Sequence, residues 1–426
     1  MPVETIVSKE MSEPSHKSTF FRQSGWMVVS TVAGGAFMAV VHVFSKVLTP
    51  EEYSALGVLF QVLNWMTIPA LGLQMVFAQQ ASAVVTEMQR RQLVATVRAV
   101  MRWTFYIWLG TAVVTIVWHN TLIAALKLNN PAALWVTLVV GLVMLWFPIF
   151  QGLLQGRQNF LWLGWGAIFN GVGRVVILGV IVMLFHGGAA GGMGGVLIGL
   201  LVASGIGIWQ NMDLAREAGA AFDARGWLRR VVPLTLGFGA YQFIYSADLI
   251  VVQNYLGAGG QAAAYTFGGT LARAVVLLTA PIAVVMFPKL VHSAARSQKT
   301  DLMGVTLLGT AVLGCAAVLG LTLTAPLLVK LGSKPEYVSF APLIPLFGWV
   351  MVPLSVGYVL LNNLMAHSRF KVVPALVAVA AGYWVALQYH HDSFKMVIQT
   401  LGVFSLIFLG VCLAFSWRPK NGPARQ

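Results

Sequence analysis

The sequence predicts an all-α integral membrane protein of about twelve transmembrane helices, arranged as two parallel six-helix lobes around a central cavity. Three observations carry this prediction. Of 426 residues, 58% are hydrophobic and only 9% charged, against roughly 25% charged in a soluble chain, so lipid must be the main solvent. The apolar residues gather in runs of about 20, the length a helix needs to cross the hydrocarbon core. In lipid the backbone must satisfy its own hydrogen bonds, so such runs become helices. Finally, the basic residues alternate between successive loops.

The apolar runs define spans at 24–48, 54–85, 103–118, 132–154, 162–186, 192–212, 231–256, 263–290, 302–330, 337–365, 372–389 and 396–416. The first follows a polar stretch with no apolar core of the signal-peptide kind, so it reads as an anchor and not a cleaved leader. Before the third, residues 87–102 put Arg91, Arg98 and Arg102 on one helical face. That pattern suits either anionic headgroups or a solvated connector. Before the sixth, the glycine-rich stretch 187–195 reads as a flexible outer loop. It follows a membrane span, which is the wrong context for a nucleotide-binding loop. The polar stretch 213–230 separates six spans from six. The expected organisation is a cytoplasmic tail (1–23), an N-lobe (24–212), an inter-lobe linker (213–230), a C-lobe (231–417) and a second cytoplasmic tail (418–426).

Charge placement orients the chain. With a cytoplasmic N-terminus, the cytoplasmic segments hold twenty Lys and Arg, and the opposite side holds five: Lys46, Lys127, Lys330, Lys334 and Lys395. This is a strong positive-inside bias. It accounts for the net charge of +14 without any nucleic-acid partner. Both termini are expected in the cytoplasm. A weak internal repeat accompanies the division: residues 48–55 correspond to 256–263, and 153–160 to 363–370, at offsets of 208 and 210. Each half has an even number of spans, so the repeats are parallel, an arrangement typical of secondary transporters that hold substrate between halves.

Three charges lie within spans, where they are costly and usually face a cavity or a partner. Asp248 and Arg273 lie roughly 12 Å and 15 Å below the outer ends of adjacent antiparallel spans, so they can meet, either as a static fastener or as groups that respond to substrate. Arg174, in the fifth span, has no carboxylate in its own span. It suits a phosphate, which a guanidinium grips with paired hydrogen bonds, or it caps backbone carbonyls of a glycine-rich neighbour. Tyr241, Tyr245, Asp248 and Tyr255 recur at helical spacing, suited to sugar rings or to lobe packing. His42, on a face with Gly34, Met38 and Ser45, reads as a packed histidine or a proton site. Gln61 and Asn64 are cavity donors or inter-helix hydrogen-bonding groups.

Several chemistries have no motif here. There is no phosphate-binding P-loop, no catalytic triad, no HExxH and no outer loop longer than about twenty residues, so an enzyme is not expected. Cys315 and Cys412 sit in apolar runs and imply neither a disulfide framework nor a metal. No cofactor is expected.

Lys46-Val47-Leu48-Thr49-Pro50-Glu51-Glu52-Tyr53-Ser54 resembles the Arg-x-Leu-Gly-Pro-Glu-x-Tyr-Gly signature of bacterial polysaccharide flippases. These are the O-antigen-type members of the multidrug/oligosaccharidyl-lipid/polysaccharide exporter superfamily. Asp248 through Val252 followed by Tyr255-Leu256-Gly257, and the span ending Met286-Phe287-Pro288, are similar to that family too. The chain departs from the pattern at Thr49, at Ser54 and at Ala258-Gly259-Gly260. The resemblance implies an alternating-access flippase of the bacterial cytoplasmic membrane that moves a polyprenyl-pyrophosphate-linked oligosaccharide. Membrane lipid and other polysaccharide-assembly proteins are the implied partners, and Arg174 and Arg273 the cationic cavity groups. A cation-coupled multidrug exporter of the same superfamily is the alternative, although it favours intramembrane carboxylates and only Asp248 qualifies. A non-transporting component of a glycan assembly complex is a third reading.

Overall fold

A computed structural model describes residues 16–40, 49–126, 128, 130–185, 187–256, 261–296, 302–332 and 340–417. Among them are twelve helices of 17–35 residues: α1 (His16–Val40), α2 (Pro50–Ser82), α3 (Glu87–Val117), α4 (Ala132–Gly156), α5 (Phe160–Phe185), α6 (Gly188–Gln210), α7 (Ala224–Tyr255), α8 (Gln261–Ala295), α9 (Leu302–Gly332), α10 (Leu343–Ala366), α11 (Val373–Tyr389) and α12 (Phe394–Trp417). Ten are long and apolar enough to cross a membrane. Short helices at His119–Ala125 and Met212–Arg216 and a 3₁₀ turn at Phe370–Val372 link them. The described residues contain no strand.

The repeat that is faint in sequence is plain in the packing. In the N-lobe α1 packs on α5, α5 on α6, α6 on α4, and α4 on α2. In the C-lobe α7 packs on α11, α11 on α12, α12 on α10, and α10 on α8. The third helix of each set, α3 or α9, lies against the fourth and turns large apolar side chains outward. Ile107, Val113 and Val117 of α3, and Leu308, Leu319 and Leu323 of α9, are well exposed, as lipid-facing residues must be. The lobes meet through α1 on α8 and α2 on α7, contacts that exchange under the pseudo-two-fold.

The two lobes use different chemistry for their interiors. Glycine lets N-lobe backbones touch. Gly152 and Gly156 form a G-x-x-x-G step on α4, and a Cβ on Gly156 would fall 2.6 Å from the Ala78 carbonyl oxygen of α2. Such small-residue steps replace the hydrophobic driving force that lipid removes. The C-lobe is packed with aromatics: Tyr265 sits within 5.4–5.7 Å of Phe340, Phe347 and Phe394.

The structure corrects two readings of the sequence. Residues 87–102 form neither a separate surface helix nor a solvated connector; they are the first half of α3. Thr86 and Gln89 start that helix with a capping box: Gln89 N–H donates to Thr86 Oγ1, and Thr86 N–H to Gln89 Oε1. The stretch 187–195 is not a loop but the first turns of α6. Its glycines leave room for α2 and α5, and a Cβ on Gly195 would lie 2.8 Å from the Arg174 carbonyl oxygen. Within 213–230, helix α7 already begins at Ala224, where Asp223 accepts a 2.9 Å bond from Gly226 N–H.

Candidate functional site

The sequence motif at 49–52 works as a helix junction. Thr49 Oγ1 accepts from Glu52 N–H at 3.3 Å, with Pro50 in the first turn of α2. The Glu52 carboxylate then accepts from Ala189 N–H at 2.5 Å and so caps α6. Gly188, at φ +53°, takes the left-handed turn that brings the chain to this carboxylate. Lys46, Val47 and Leu48 lie outside the described residues.

Asp248 of α7 and Arg273 of α8 do meet. Arg273 Nη2 donates to both carboxylate oxygens, at 2.7 and 2.6 Å. Tyr265 OH donates to Asp248 Oδ2 at 2.6 Å, and Arg273 Nε donates to the Tyr245 carbonyl at 3.0 Å. The guanidinium also lies over the rings of Phe347 and Tyr245, at 5.0 and 5.4 Å. Asp248 is wholly buried and Arg273 nearly so. The pair joins α7, α8 and α10 inside the C-lobe.

The aromatic stripe on α7 divides. Tyr241 is buried, its ring tilted against Tyr358 at 4.5 Å and stacked on Tyr245 at 6.3 Å, with Phe408 at 6.0 Å. Its ring packs in the C-lobe interior. Tyr255 is exposed at the other end of α7, where its ring stacks on His391 at 4.0 Å and its hydroxyl reaches Gln388 Oε1 at 3.1 Å.

Arg174 stands in the N-lobe with no carboxylate partner among the described residues. Its Nε donates to Asn170 Oδ1, one turn back on α5, at 3.3 Å. Close packing of α5 and α6 at Gly195 and Gly199 holds this turn of backbone against its neighbour. Among the described residues no backbone carbonyl accepts from this guanidinium. His42 lies outside the described residues, as do the side chains of Gln61 and Asn64, which are carried by α2.

The sequence reading missed the lobe interface. The end that carries the C-termini of α2, α4, α8 and α10 also carries most of the basic residues, and is called the basic end below. There Gln79 Nε2 of α2 donates to the Met365 carbonyl at 2.9 Å and to Ser368 Oγ at 3.3 Å. Lys289 Nζ of α8 donates to Gln158 Oε1 at 3.3 Å, Gln155 Nε2 to the Val284 carbonyl at 3.2 Å, and His292 Nδ1 lies 3.2 Å from the Ser82 carbonyl. Among the described residues, the hydrogen bonds that cross between the lobes all lie in this half. Gly72 of α2 is pressed against Thr235 of α7, with no room for a Cβ.

Among the described residues, Gln158 and Ser368 are the non-glycine residues with positive φ, at 58° and 53°. They are 210 positions apart, the offset of the sequence repeat, and end α4 and α10 respectively. Each receives a cross-lobe hydrogen bond from the second helix of the opposite lobe. Left-handed non-glycine residues of this kind persist where surroundings over-determine them, and they gather at switch regions. The usable sequence signal was the alignment of 153–160 with 363–370, read earlier only as a repeat.

The linker is bound to the N-lobe. Arg157 Nη2 pairs with Asp213 at 2.7 Å, and Arg90 pairs with both Asp213 and Glu217. Arg98 donates to the carbonyls of Ala215 and Glu217. The hydrogen bond and charge of Arg157, with Arg90 behind them, hold the Asp213 carboxyl below the usual carboxylate range.

No protein-family model matches the sequence, and no curated protein does. Solved structures resemble it in fold. A point mutant of a MATE transporter aligns over 94% of this chain and 95% of its own, at 13% identity and a TM-score of 0.74. A multidrug resistance MATE family transporter of the MOP superfamily, in an outward-facing conformation, aligns over 94% of both chains at 14% identity and a TM-score of 0.70. A mutant of the Vibrio cholerae MATE transporter VcmN aligns over 93% of this chain and 95% of its own, at 13% identity and a TM-score of 0.72. The chain therefore has the MATE transporter fold, an all-helical membrane architecture of two six-helix lobes.

Proposed function

We propose that this protein is an alternating-access membrane exporter whose lobes part and close at the basic end. The observation that supports it is the symmetric pair of cross-lobe contacts, Gln79 with Ser368 and Lys289 with Gln158. Each is a single hydrogen bond to a strained helix end. Contacts of this kind, worth about 0.5–1.5 kcal/mol each, hold one state without locking it. Cysteines placed at 79 and 368 in a background lacking Cys315 and Cys412, then bridged by a short bifunctional reagent, should stop export reversibly. Undiminished export by the bridged protein overturns the reading.

For the cargo, the fold likeness favours a cation-coupled multidrug exporter over the lipid-linked glycan suggested by the sequence motif. In that reading, coupling through Asp248 requires the bonds from Arg273 and Tyr265 to open. One observation favours the glycan: Arg174, a half-buried guanidinium whose one hydrogen-bond partner among the described residues is Asn170, is a ready partner for a pyrophosphate. Proteoliposomes distinguish the two. Efflux of a lipophilic cation under an imposed sodium or proton gradient supports the first. Gradient-independent transfer of a labelled polyprenyl-pyrophosphate glycan, lost in Arg174→Ala, supports the second.

A further inference from the structure

Where the linker meets the first turns of α7, a cavity of about 340 Å³ opens at the basic end between the N-lobe and the C-lobe. Gln80 of α2, Gln92 and Thr96 of α3, and Asp223, Trp227 and Arg230 line it. Two independent features mark it as a place for a ligand. The first is a pair of opposite charges that do not meet. Asp223 and Arg230 face the same cavity, yet neither forms an ion pair with the other or with any other described residue. Seven residues put them about 10.5 Å apart along the helix axis. Helical side chains lean toward the N-terminus, so the guanidinium leans back toward the carboxylate and a gap is left between them.

The second feature is a buried donor and a buried acceptor in the same walls. Trp227 is only 9% exposed and its indole N–H has no partner; Gln80 Oε1 is buried and has none either. Buried polar atoms are nearly always partnered. The mouth has the character of a membrane interface. Trp103 meets Phe222 edge to face at 5.2 Å and Trp227 at 6.2 Å, a grouping favoured at headgroup depth. Beside them Leu228 and Val232 are exposed, a surface that acyl chains can cover.

We propose that this cavity holds the headgroup of a zwitterionic phospholipid bearing a primary ammonium, drawn from the leaflet at the basic end. The phosphate lies against Arg230 and the ammonium against Asp223, and small rotations of the Trp227 and Gln80 side chains turn their buried N–H and Oε1 toward the headgroup. An anionic headgroup satisfies Arg230 and is repelled by Asp223. A choline headgroup has no N–H to donate to either acceptor. Because the walls come from α2, α3, the linker and α7, a bound headgroup ties the N-lobe to the first helix of the C-lobe.

The test is native mass spectrometry of the delipidated full chain, offered equal amounts of phosphatidylethanolamine, phosphatidylglycerol and phosphatidylcholine. A single exposed charge contact corresponds to about a fivefold preference, so phosphatidylethanolamine should be retained about fivefold over the other two. Asp223→Asn keeps an oxygen to cap α7 and should bring the ratio over phosphatidylglycerol to about one. Arg230→Gln should lose retention of both. Equal retention of the three lipids by the native chain, or a preference unchanged in Asp223→Asn, overturns the proposal. So does binding of soluble phosphoethanolamine with no retention of lipid, which would mean that the free headgroup, not the membrane, is the source. Circular dichroism and gel filtration verify that each variant is folded. None of these readouts depends on the exported cargo.

Discussion

Removing one member of the Asp248–Arg273 pair isolates what fastens the C-lobe. Asp248→Leu leaves the Arg273 guanidinium almost fully buried without a counter-charge. It removes two bonds of 2.6–2.7 Å and the 2.6 Å bond from Tyr265. Breaking a buried pair in this way costs about 3–5 kcal/mol. Arg273→Met strands the carboxylate, and a similar loss is expected. The double variant Asp248→Leu with Arg273→Met removes both charges. Its remaining defect is the unpartnered Tyr265 hydroxyl, about 1–3 kcal/mol. The two single losses together are roughly 6–10 kcal/mol, so the coupling energy in a double-mutant cycle should exceed about 3 kcal/mol. Reversible unfolding in mixed detergent micelles measures it. A charge swap should not rescue the protein, because the site is asymmetric: Tyr265 presents a hydroxyl donor and Tyr245 a carbonyl acceptor. Single losses below about 1 kcal/mol that simply add would refute the fastening role.

Other expectations concern the lobe interface and the linker. Gln79→Leu combined with Lys289→Met removes the symmetric pair of cross-lobe bonds and the Gln79 bond to the Met365 carbonyl, about 1.5–4.5 kcal/mol in total, and should raise thiol labelling of single cysteines introduced at the basic end; unchanged labelling counts against the gate. Gly72→Leu places a side chain where Thr235 leaves no space. It should hold the lobes apart and reduce export while the isolated lobes stay folded, as read by unchanged near-ultraviolet circular dichroism. Glu52→Ala removes the cap of α6 and should cost about 0.5–2 kcal/mol, seen as faster amide exchange at residues 188–191. The linker contact is pH-dependent. Arg157 and Arg90 depress the Asp213 carboxyl in the folded protein, so its stabilising effect is complete above the unfolded carboxylate pKa of about 3.9 and is lost as pH falls through the lower folded value. Hydrogen exchange at residues 213–220 should therefore be flat from pH 8 to about pH 5 after correction for intrinsic rates, and should rise only below about pH 4.

The sequence by itself determined the solvent, the number of long helices and the division into halves. These depend on run length, overall charge and parity, which are properties of the chain read one segment at a time. It also placed Asp248 opposite Arg273, because two antiparallel spans joined by a short loop leave few choices of depth. The start of α3 and the helicity of 187–195 were misread for a related reason. A capping box and a row of close-packed glycines acquire their meaning from groups the apolar pattern does not report. Only the tertiary structure decided which polar residues face each other across the lobes. Gln79, Gln158, Lys289 and Ser368 are unremarkable in sequence, and their partners lie more than 130 residues away. Depth along a helix can be counted from the chain. Rotation about its axis, and the neighbour it turns toward, are set by packing alone, and for this reason Tyr241 turns into the lobe while Tyr255 of the same stripe is exposed, and the lobe contacts at the basic end left no mark in the hydropathy.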